Sequence, residues 1–431
     1  MINLTRVSML LLLGGSIALA EKAEAQPSAD AANQWIKIDQ GKTGARSGSV
    51  LVHAADLKQM LLVGTAKGAP FVQAFDPLAK TWSEFSAALP TKNGISPYYQ
   101  TAYDPGTKTV YCLSGGPVLY AFNTADKMWK TFPSTPELDG LSWYALSCDT
   151  AGKRLVVVGS DKKADNLGWM RTVVFDIPSG KWQRLDVTDN RVVKEHQELV
   201  TAKEAMIDLI GHIRSVWYRD PKGIGSNTEL AALGARCAAL KKLPRMDKFA
   251  ADIDGLAGSL DTKNTLDALK AARVLQRQFE EVAEAQYPVP CSRRNSPLVY
   301  DSKSKVFVLF GGDHEDYLMN DTWVLDLETK GWRRAKPGLS PSPRAGHALV
   351  ELPGCGKVAL YEGYIQSNNT DYAATPYRPL DPLQLWLYDT AAERWDLAGN
   401  WPLPGKGEPA GPTPVGHFEG YARERFSPEL R

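Results

Sequence analysis

Short apolar runs that end in polar turns recur along most of this chain. The run VLDLETKGW (324–332) shows the pattern, because apolar Val324 and Leu325 lead to Asp326, a polar turn with a Gly, and Trp332. Short apolar runs bounded by turn residues are typical of β-strands. The pattern therefore predicts a strand, a tight turn, and a second strand that begins at the Trp.

The same step from an acidic or amide residue to Trp occurs five times. An Asp lies six positions before a Trp in four places, and an Asn does so in a fifth. Repeats of roughly 40–50 residues that hold several strands are typical of propeller blades. The pairs are Asp76 and Trp82, Asn123 and Trp129, Asp176 and Trp182, Asp326 and Trp332, and Asp389 and Trp395.

The unit that follows Pro290 carries further features of the repeat. An apolar strand there ends in a Gly pair, and the next unit opens on Arg-x-Gly-His. Together with the Asp-x5-Trp closure, these features resemble the kelch-repeat family over roughly residues 35–187 and 290–400. The resemblance implies an all-β kelch-type β-propeller of about six blades. It is carried by Gly311-Gly312, by NDTW (320–323), and by Arg344, Gly346 and His347.

The sequence leaves closure of the propeller ring open. Trp35 lies 47 residues before Trp82 and is interpreted as a further outer strand. Residues 414–431 begin like a blade, with Gly416-His417, but contain neither a Gly pair nor an Asp-x5-Trp step. Either the chain is a fragment of a longer protein, or the last blade closes irregularly.

The repeated residues have a structural interpretation. An Asp side chain at a strand end accepts hydrogen bonds from backbone N–H groups and fixes the turn that follows. A Trp at the start of an outer strand can pack against the neighbouring blade. A Gly pair lets a strand end bend without Cβ clashes. We therefore expect these residues to hold the blades together.

A helical segment interrupts the repeat between Trp182 and Trp332, which lie about 100 residues further apart than one blade requires. Apolar residues at helical spacing predict helices over 190–217, 228–243, 246–260 and 264–286, the last with Asn264 as its N-cap. The predicted organisation is a signal peptide at 1–25, blades at 26–187, a helical insertion at 188–289, and further blades at 290–431.

Two roles are open for the helical insertion. It can decorate the rim of the propeller, or it can act as a lid or a partner-binding arm, since inserts in repeat folds gather on the binding face. Neither adjacent blade loses a strand to the insertion. The propeller is therefore not expected to need it for strand pairing.

The net charge and the N-terminal residues indicate which partners and which cellular location to expect. The net charge is +1, whereas nucleic acids and anionic membranes attract a strongly basic surface. We therefore expect a protein or glycan partner, with the oligomeric state open. Residues 7–20 form an apolar run of 14 residues that is shorter than a membrane span, and Ala23-Glu24-Ala25 follows as a cleavage site.

These N-terminal features predict a secreted or periplasmic protein that has no membrane span after signal cleavage, with an uncleaved anchor as the alternative.

The five Cys show no disulfide or zinc spacing, so buried free thiols are expected. GGDHEDY (311–317) is interpreted as a solvated loop, because adjacent residues cannot all turn toward one metal ion. Glu280-Glu281 is interpreted as part of a solvated helix face.

Two classes of propeller enzyme are alternatives to a binding module. Sialic-acid mutarotases are exported kelch propellers that need acid and base groups at the central channel. Galactose oxidases need a copper site with a Cys bonded to a Tyr, but Tyr111 and Cys112 are adjacent in one strand and point to opposite faces. The candidate ligand-binding residues at the channel mouth are Arg46, Arg294, Arg344, His347 and Glu362.

The sequence contains no nucleophile elbow, metalloprotease motif, phosphate loop or dinucleotide fingerprint in a supporting context. No catalytic residue, cofactor or metal is therefore assigned. We predict an exported binding or scaffold propeller in which the insertion acts as a partner-binding arm or lid. The alternative is a mutarotase-like epimerase or a galactose-oxidase-like copper enzyme.

Overall fold

Within the residues that it describes, the computed structural model forms five four-stranded antiparallel sheets, and each sheet follows the order of the chain. The predicted signal peptide, Trp35, Arg46, Asn264 and residues 402–431 lie outside the residues that the structure describes. The described residues are 50–66, 69–85, 100–114, 118–161, 168–219, 225–261, 263, 265–314, 318–363 and 383–401.

The sheets are numbered in chain order, with four strands in each. Sheet 1 contains β1 (Val50–Ala54), β2 (Gln59–Ala66), β3 (Ala69–Asp76) and β4 (Thr81–Glu84). Sheet 2 contains β5 (Thr101–Asp104), β6 (Thr109–Ser114), β7 (Val118–Asn123) and β8 (Met128–Phe132). Sheet 3 contains β9 (Leu141–Asp149), β10 (Arg154–Asp161), β11 (Arg171–Asp176) and β12 (Lys181–Leu185). Sheet 4 contains β13 (Leu298–Asp301), β14 (Val306–Asp313), β15 (Leu318–Asp326) and β16 (Gly331–Ala335). Sheet 5 contains β17 (Ala348–Leu352), β18 (Lys357–Tyr361), β19 (Leu383–Asp389) and β20 (Arg394–Trp401).

The sheets adjoin one another through their first strands. β1 lies beside β5, β5 beside β9, β9 beside β13, and β13 beside β17. Four apolar cores fill the spaces between successive sheets, so that each of sheets 1 to 4 packs against the next one in the chain. Face-to-face packing of successive four-stranded sheets is consistent with a β-propeller.

The repeated Asp and Asn side chains fix the turns that lead into the fourth strands. Asp326 Oδ1 accepts a hydrogen bond of 2.8 Å from the N–H of Glu328. The side chains of Asp76, Asn123, Asp176 and Asp389 accept equivalent backbone bonds. Each turn thus gains a partner for otherwise free N–H groups.

The insertion is helical, as predicted, and lies between sheets 3 and 4. A short 3₁₀ turn (Asp247–Phe249) precedes its third helix, and Ser226 forms a capping box with Glu229 at the start of its second helix. No helix among the described residues is long and apolar enough to span a membrane. The helices are α1 (Asn190–Arg219), α2 (Asn227–Leu240), α3 (Ala250–Asp261) and α4 (Thr265–Glu284).

The apolar residues of α1 are not all buried. Val193 is exposed, whereas Leu199, Met206 and Leu209 are buried. Lys203 lies within this buried stripe and is only 1% exposed. The hydrophobic stripe of α1 therefore has a charged residue at its centre, which changes how the insertion is held.

The insertion shares its core with the sheets. Its apolar cluster includes Cys291, at the entry to sheet 4, and Met319 of β15, and Trp169 packs against it. The sequence suggested an appended module, but the chain on both sides of the insertion belongs to one continuous core. The helices of the insertion pack on Cys291 and Met319, which extends their apolar cluster into sheet 4.

Candidate functional site

One edge of sheets 4 and 5 carries most of the predicted site residues. It comprises residues 291–297, 310–314, 342–347 and 361–363, which are the entries to β13 and β17 and the ends of β14 and β18; we call it the loop edge. The N–H of Gly312 donates to the carbonyl of Arg344 at 2.9 Å. The two sheets are therefore tied together by backbone bonds at this edge.

The Gly pair is required by close approach at the loop edge. Gly311 has a φ of +55°, and a Cβ there would lie 2.7 Å from the carbonyl oxygen of Arg344. Gly312 has a φ of +120°, and a Cβ there would lie 2.9 Å from the Cβ of Ser296. Both the backbone conformation and the contact exclude larger residues.

A buried ion pair fastens the entry of sheet 4. Arg293 donates two hydrogen bonds to Asp321, of 2.6 and 2.9 Å, and a third of 3.0 Å to the carbonyl of Gly311. Trp323 Nε1 also donates to Asp321, at 2.6 Å. Burial raises the pKa of the Asp321 carboxyl, but the adjacent Arg293 guanidinium outweighs it and holds the pKa below its usual value. The pair is structural, because neither side chain reaches solvent.

Arg344 occupies the equivalent position in sheet 5 but has a neutral partner. It donates to Gln384 Oε1 at 3.0 Å and to the carbonyl of Glu362 at 3.2 Å, and Trp386 Nε1 donates to the same Gln384 oxygen. Burial without a carboxylate lowers the pKa of Arg344 to about 10. The entries of sheets 4 and 5 thus have the same hydrogen-bonding arrangement. The acceptor is a carboxylate in sheet 4 and a neutral amide in sheet 5.

Glu362 stands where sheet 4 has Gly311. Its φ is +61°, close to the +55° of that glycine, and this left-handed conformation is unfavourable for a residue with a Cβ. The side chain is half-buried, and burial raises the pKa of its carboxyl to about 7. Strained backbone and a shifted pKa are features that concentrate at functional sites.

The other predicted channel-mouth residues are enclosed by protein. Arg294 pairs with Asp313 at 3.1 Å, and its guanidinium lies over the ring of Trp143. His347 is fully buried against the ring of Phe310, and burial followed by the charge of Arg344 lowers its pKa to about 3. Of the candidate ligand-binding residues that the structure describes, Glu362 is the one that is not buried.

The insertion meets the sheets through a second group of residues, which we call the docking interface: Trp169, His196, Lys203, Glu280, Tyr287 and His314. The ring of His196 on α1 stacks on that of Trp169, with centroids 3.6 Å apart and planes 6° apart. Burial, followed by the charge of Lys203, lowers the pKa of His196 to about 4. The imidazole is therefore neutral at pH 7.

A buried polar cluster completes the docking interface. Lys203 Nζ lies 2.8 Å from His314 Nε2 and 3.4 Å from Glu280 Oε1. Gln276 donates to the same Glu280 oxygen at 3.0 Å. The interpretation of Asp313, His314 and Glu280 as solvated is wrong, because helices α1 and α4 cover the end of β14 and leave each of these side chains at most 1% exposed.

The sequence did contain signals for the residues that were missed. Lys203 falls at helical spacing from Leu199 and Met206, inside an apolar stripe, and a lysine at such a position is a candidate for a buried pair. For the arginines the signal came only from the structure: Asn295 and Gly346 both have a positive φ, and aligning them matches Arg293 rather than Arg294 to Arg344. Sequence position alone did not distinguish the two arginines.

The described His, Cys, Asp and Glu side chains do not form a metal-binding site. Within the described ranges, no three His, Cys, Asp or Glu side chains are placed to hold one ion. All five Cys are free; three are buried, Cys148 is half-buried, and Cys355 is exposed.

No family model matches the chain. Among solved structures, the chain is similar to TolB from Acinetobacter baumannii, with 10% sequence identity and a TM-score of 0.39, over 80% of this chain and 52% of that one. The chain thus spans about half the length of that protein. A similarity at this level supports no statement about function.

Proposed function

We propose that this chain is an exported kelch-type β-propeller of about six blades that binds a protein or glycan partner at its loop edge. The helical insertion serves as a lid or arm at that binding face. The Asp-x5-Trp repeat, the Gly pair and the N-terminal apolar run support this proposal.

One observation carries the proposed binding face. The insertion docks on the residue that follows β14, through Lys203 and His314, and Glu362 follows β18, the equivalent strand of the next sheet. Antiparallel strands in the same position of successive sheets end at the same edge. The insertion and the exposed side of Glu362 therefore lie on one face, where a partner can contact both.

The test is binding of the exported protein to panels of glycans and secreted proteins. Glu362→Gln removes the half-buried carboxyl at the loop edge, and Glu328→Gln is a matched control because Glu328 is exposed in the turn between β15 and β16, at the opposite edge. We expect Glu362→Gln to weaken binding at least about tenfold, the scale of one lost charged hydrogen bond. Equal affinity in both variants would place the binding face elsewhere.

Glu362 also favours a second function, that of an acid–base enzyme. A carboxyl with a pKa of about 7 can both donate and accept a proton near neutral pH. This supports the mutarotase-like alternative. Interconversion of sugar anomers, followed by NMR with acidic sugars, tests it; no rate above the buffer reaction, or the same rate in Glu362→Gln, excludes this role.

The copper-enzyme alternative has no comparable support. Tyr111 packs in the core between sheets 2 and 3, whereas Cys112 packs in the core between sheets 1 and 2. Burial raises the pKa of the Cys112 thiol to about 12. The two side chains therefore point away from each other, as expected for neighbours in one strand.

A further inference from the structure

We propose that the helical insertion is a proton-released lid, held on sheets 3 and 4 while the rings of His196 and His314 are both neutral. The two histidines flank Lys203 at the docking interface. This inference takes the lid role from the proposed function and adds its regulation. Its test reads docking directly, so it does not depend on which partner binds.

The geometry places both histidines where the insertion meets the sheets. His196 belongs to α1 and stacks on Trp169, which lies just before β11, the third strand of sheet 3. His314 follows β14 and contacts Lys203 of the same helix at 2.8 Å. Each contact therefore joins α1 to a different sheet, and both must separate when the insertion lifts.

Lys203 makes both contacts sensitive to a proton. Its ammonium donates to a neutral His314 Nε2, and a protonated ring has no lone pair there to accept the bond. His196 Nε2 is buried and has no hydrogen-bond partner among the described residues, so a proton on it would be a buried charge without compensation. The charge of Lys203 opposes protonation of both rings.

The other cations that the structure describes around His314 act in the same direction. Burial and the cations lower the pKa of His314 well below its usual value. Among the described residues, the nearby carboxylates already face cations, since Glu280 lies beside Lys203, Asp313 pairs with Arg294, and Asp321 pairs with Arg293. The cations that face the ring are Lys203 from α1, Arg277 from α4, and Arg293 and Arg294 from the entry to sheet 4.

The sign of the pH dependence follows from these lowered pKa values. Released histidines have a pKa near 6.5 and take up protons below it, whereas the docked ones resist doing so. Docking is therefore strongest above pH 6.5 and weakens as the pH falls. For His196 this weakening continues down to about pH 4, the pKa of the docked ring. Each histidine reduces the docking equilibrium constant by up to about tenfold per pH unit in this range.

The experiment is peptide-resolved hydrogen exchange of the exported protein at pH 7.5, 6.5, 5.5 and 4.5, corrected for intrinsic exchange rates. We expect protection of α1 to fall by at least about tenfold from pH 6.5 to 5.5, while β14 and β15 stay protected. The double variant His196→Phe, His314→Gln keeps the ring stack and the acceptor for Lys203 without a titrating group, and should remove the fall. His212→Gln is the control, because His212 is exposed on the same helix.

The outcomes separate release of the lid from general acid unfolding. His347 of sheet 5 is also buried and neutral, but its protonation would affect the sheets rather than α1. Simultaneous loss of protection in α1 and in β14 overturns the proposal, as does an unchanged fall in the double variant. If that variant does not fold, NMR titration of the histidine rings in the wild-type protein decides: a docked His314 that takes up a proton near pH 6.5 contradicts the lid.

Discussion

Trp332 Nε1 donates a hydrogen bond of 2.9 Å to Thr172 Oγ1 in the preceding sheet, 160 positions earlier in the chain. Trp395 makes the same bond, also of 2.9 Å, to Thr322. Thr172 lies in β11 and Thr322 in β15, the third strands of successive sheets. The repeated Trp at the start of a fourth strand thus joins its own sheet to the one before it, by a hydrogen bond as well as by packing.

The two tryptophans should differ in their contribution to stability. Trp395 is 1% exposed, whereas Trp332 is half-buried. We expect Trp395→Ala to lower the free energy of unfolding by about 3–5 kcal/mol, the range for a buried aromatic, and Trp332→Ala to lower it by less. Denaturant unfolding measures both. Equal losses would mean that burial at these positions does not set the cost.

Phenylalanine variants isolate the hydrogen bond from the packing. Trp395→Phe removes the Nε1–H but keeps an aromatic ring, and leaves the Thr322 hydroxyl without its donor. We expect a loss of about 1–3 kcal/mol, the cost of one unsatisfied buried group with some lost packing. A loss as large as that of Trp395→Ala would show that the indole bond dominates.

The entries to sheets 4 and 5 should respond differently to loss of the arginine partner. Asp321→Ala leaves the buried Arg293 charge without its carboxylate and should cost about 3–5 kcal/mol. Gln384→Ala removes a neutral acceptor from Arg344 and should cost about 1–3 kcal/mol. Thermal and denaturant unfolding of the two variants test this order, and a reversed order would show that the carboxylate contributes nothing beyond an amide.

The folded protein should be more stable with a glycine at position 362 than with Glu362. With a φ of +61°, Glu362→Gly is expected to raise the free energy of unfolding by about 1 kcal/mol while weakening partner binding. Lys330→Gly is the control, since Lys330 has a φ of 55° in an exposed turn at the opposite edge. It should gain similar stability and keep binding. Loss of stability in Glu362→Gly would mean that the side chain packs productively.

Removal of the insertion should destabilise the sheets without unfolding them. Replacement of residues 190–286 by a short Gly/Ser linker leaves every strand in place but uncovers Cys291 and Met319. We expect the β circular dichroism signal to persist, with a cooperative transition destabilised by about 3–6 kcal/mol for two uncovered apolar side chains. An unchanged melting temperature would show a separate module, and loss of cooperativity would show that the sheets depend on the insertion throughout.

The sequence by itself determined the elements that depend on neighbours along the chain. Period and spacing predicted four-stranded units, the turn that Asp326 caps, and the position of the helical insertion, because strand alternation, turn chemistry and helical periodicity are local properties.

Only the tertiary structure decided which polar residues are buried and with whom. Lys203 and His314 are 111 positions apart, and no local pattern relates them. Glu280 was interpreted as solvated because carboxylates on a helix usually face solvent, yet its environment is set by packing of α4 against α1, which places it beside Lys203. The same holds for Glu362: its strain is a property of the backbone position, which the chain reaches only when the loop edge forms.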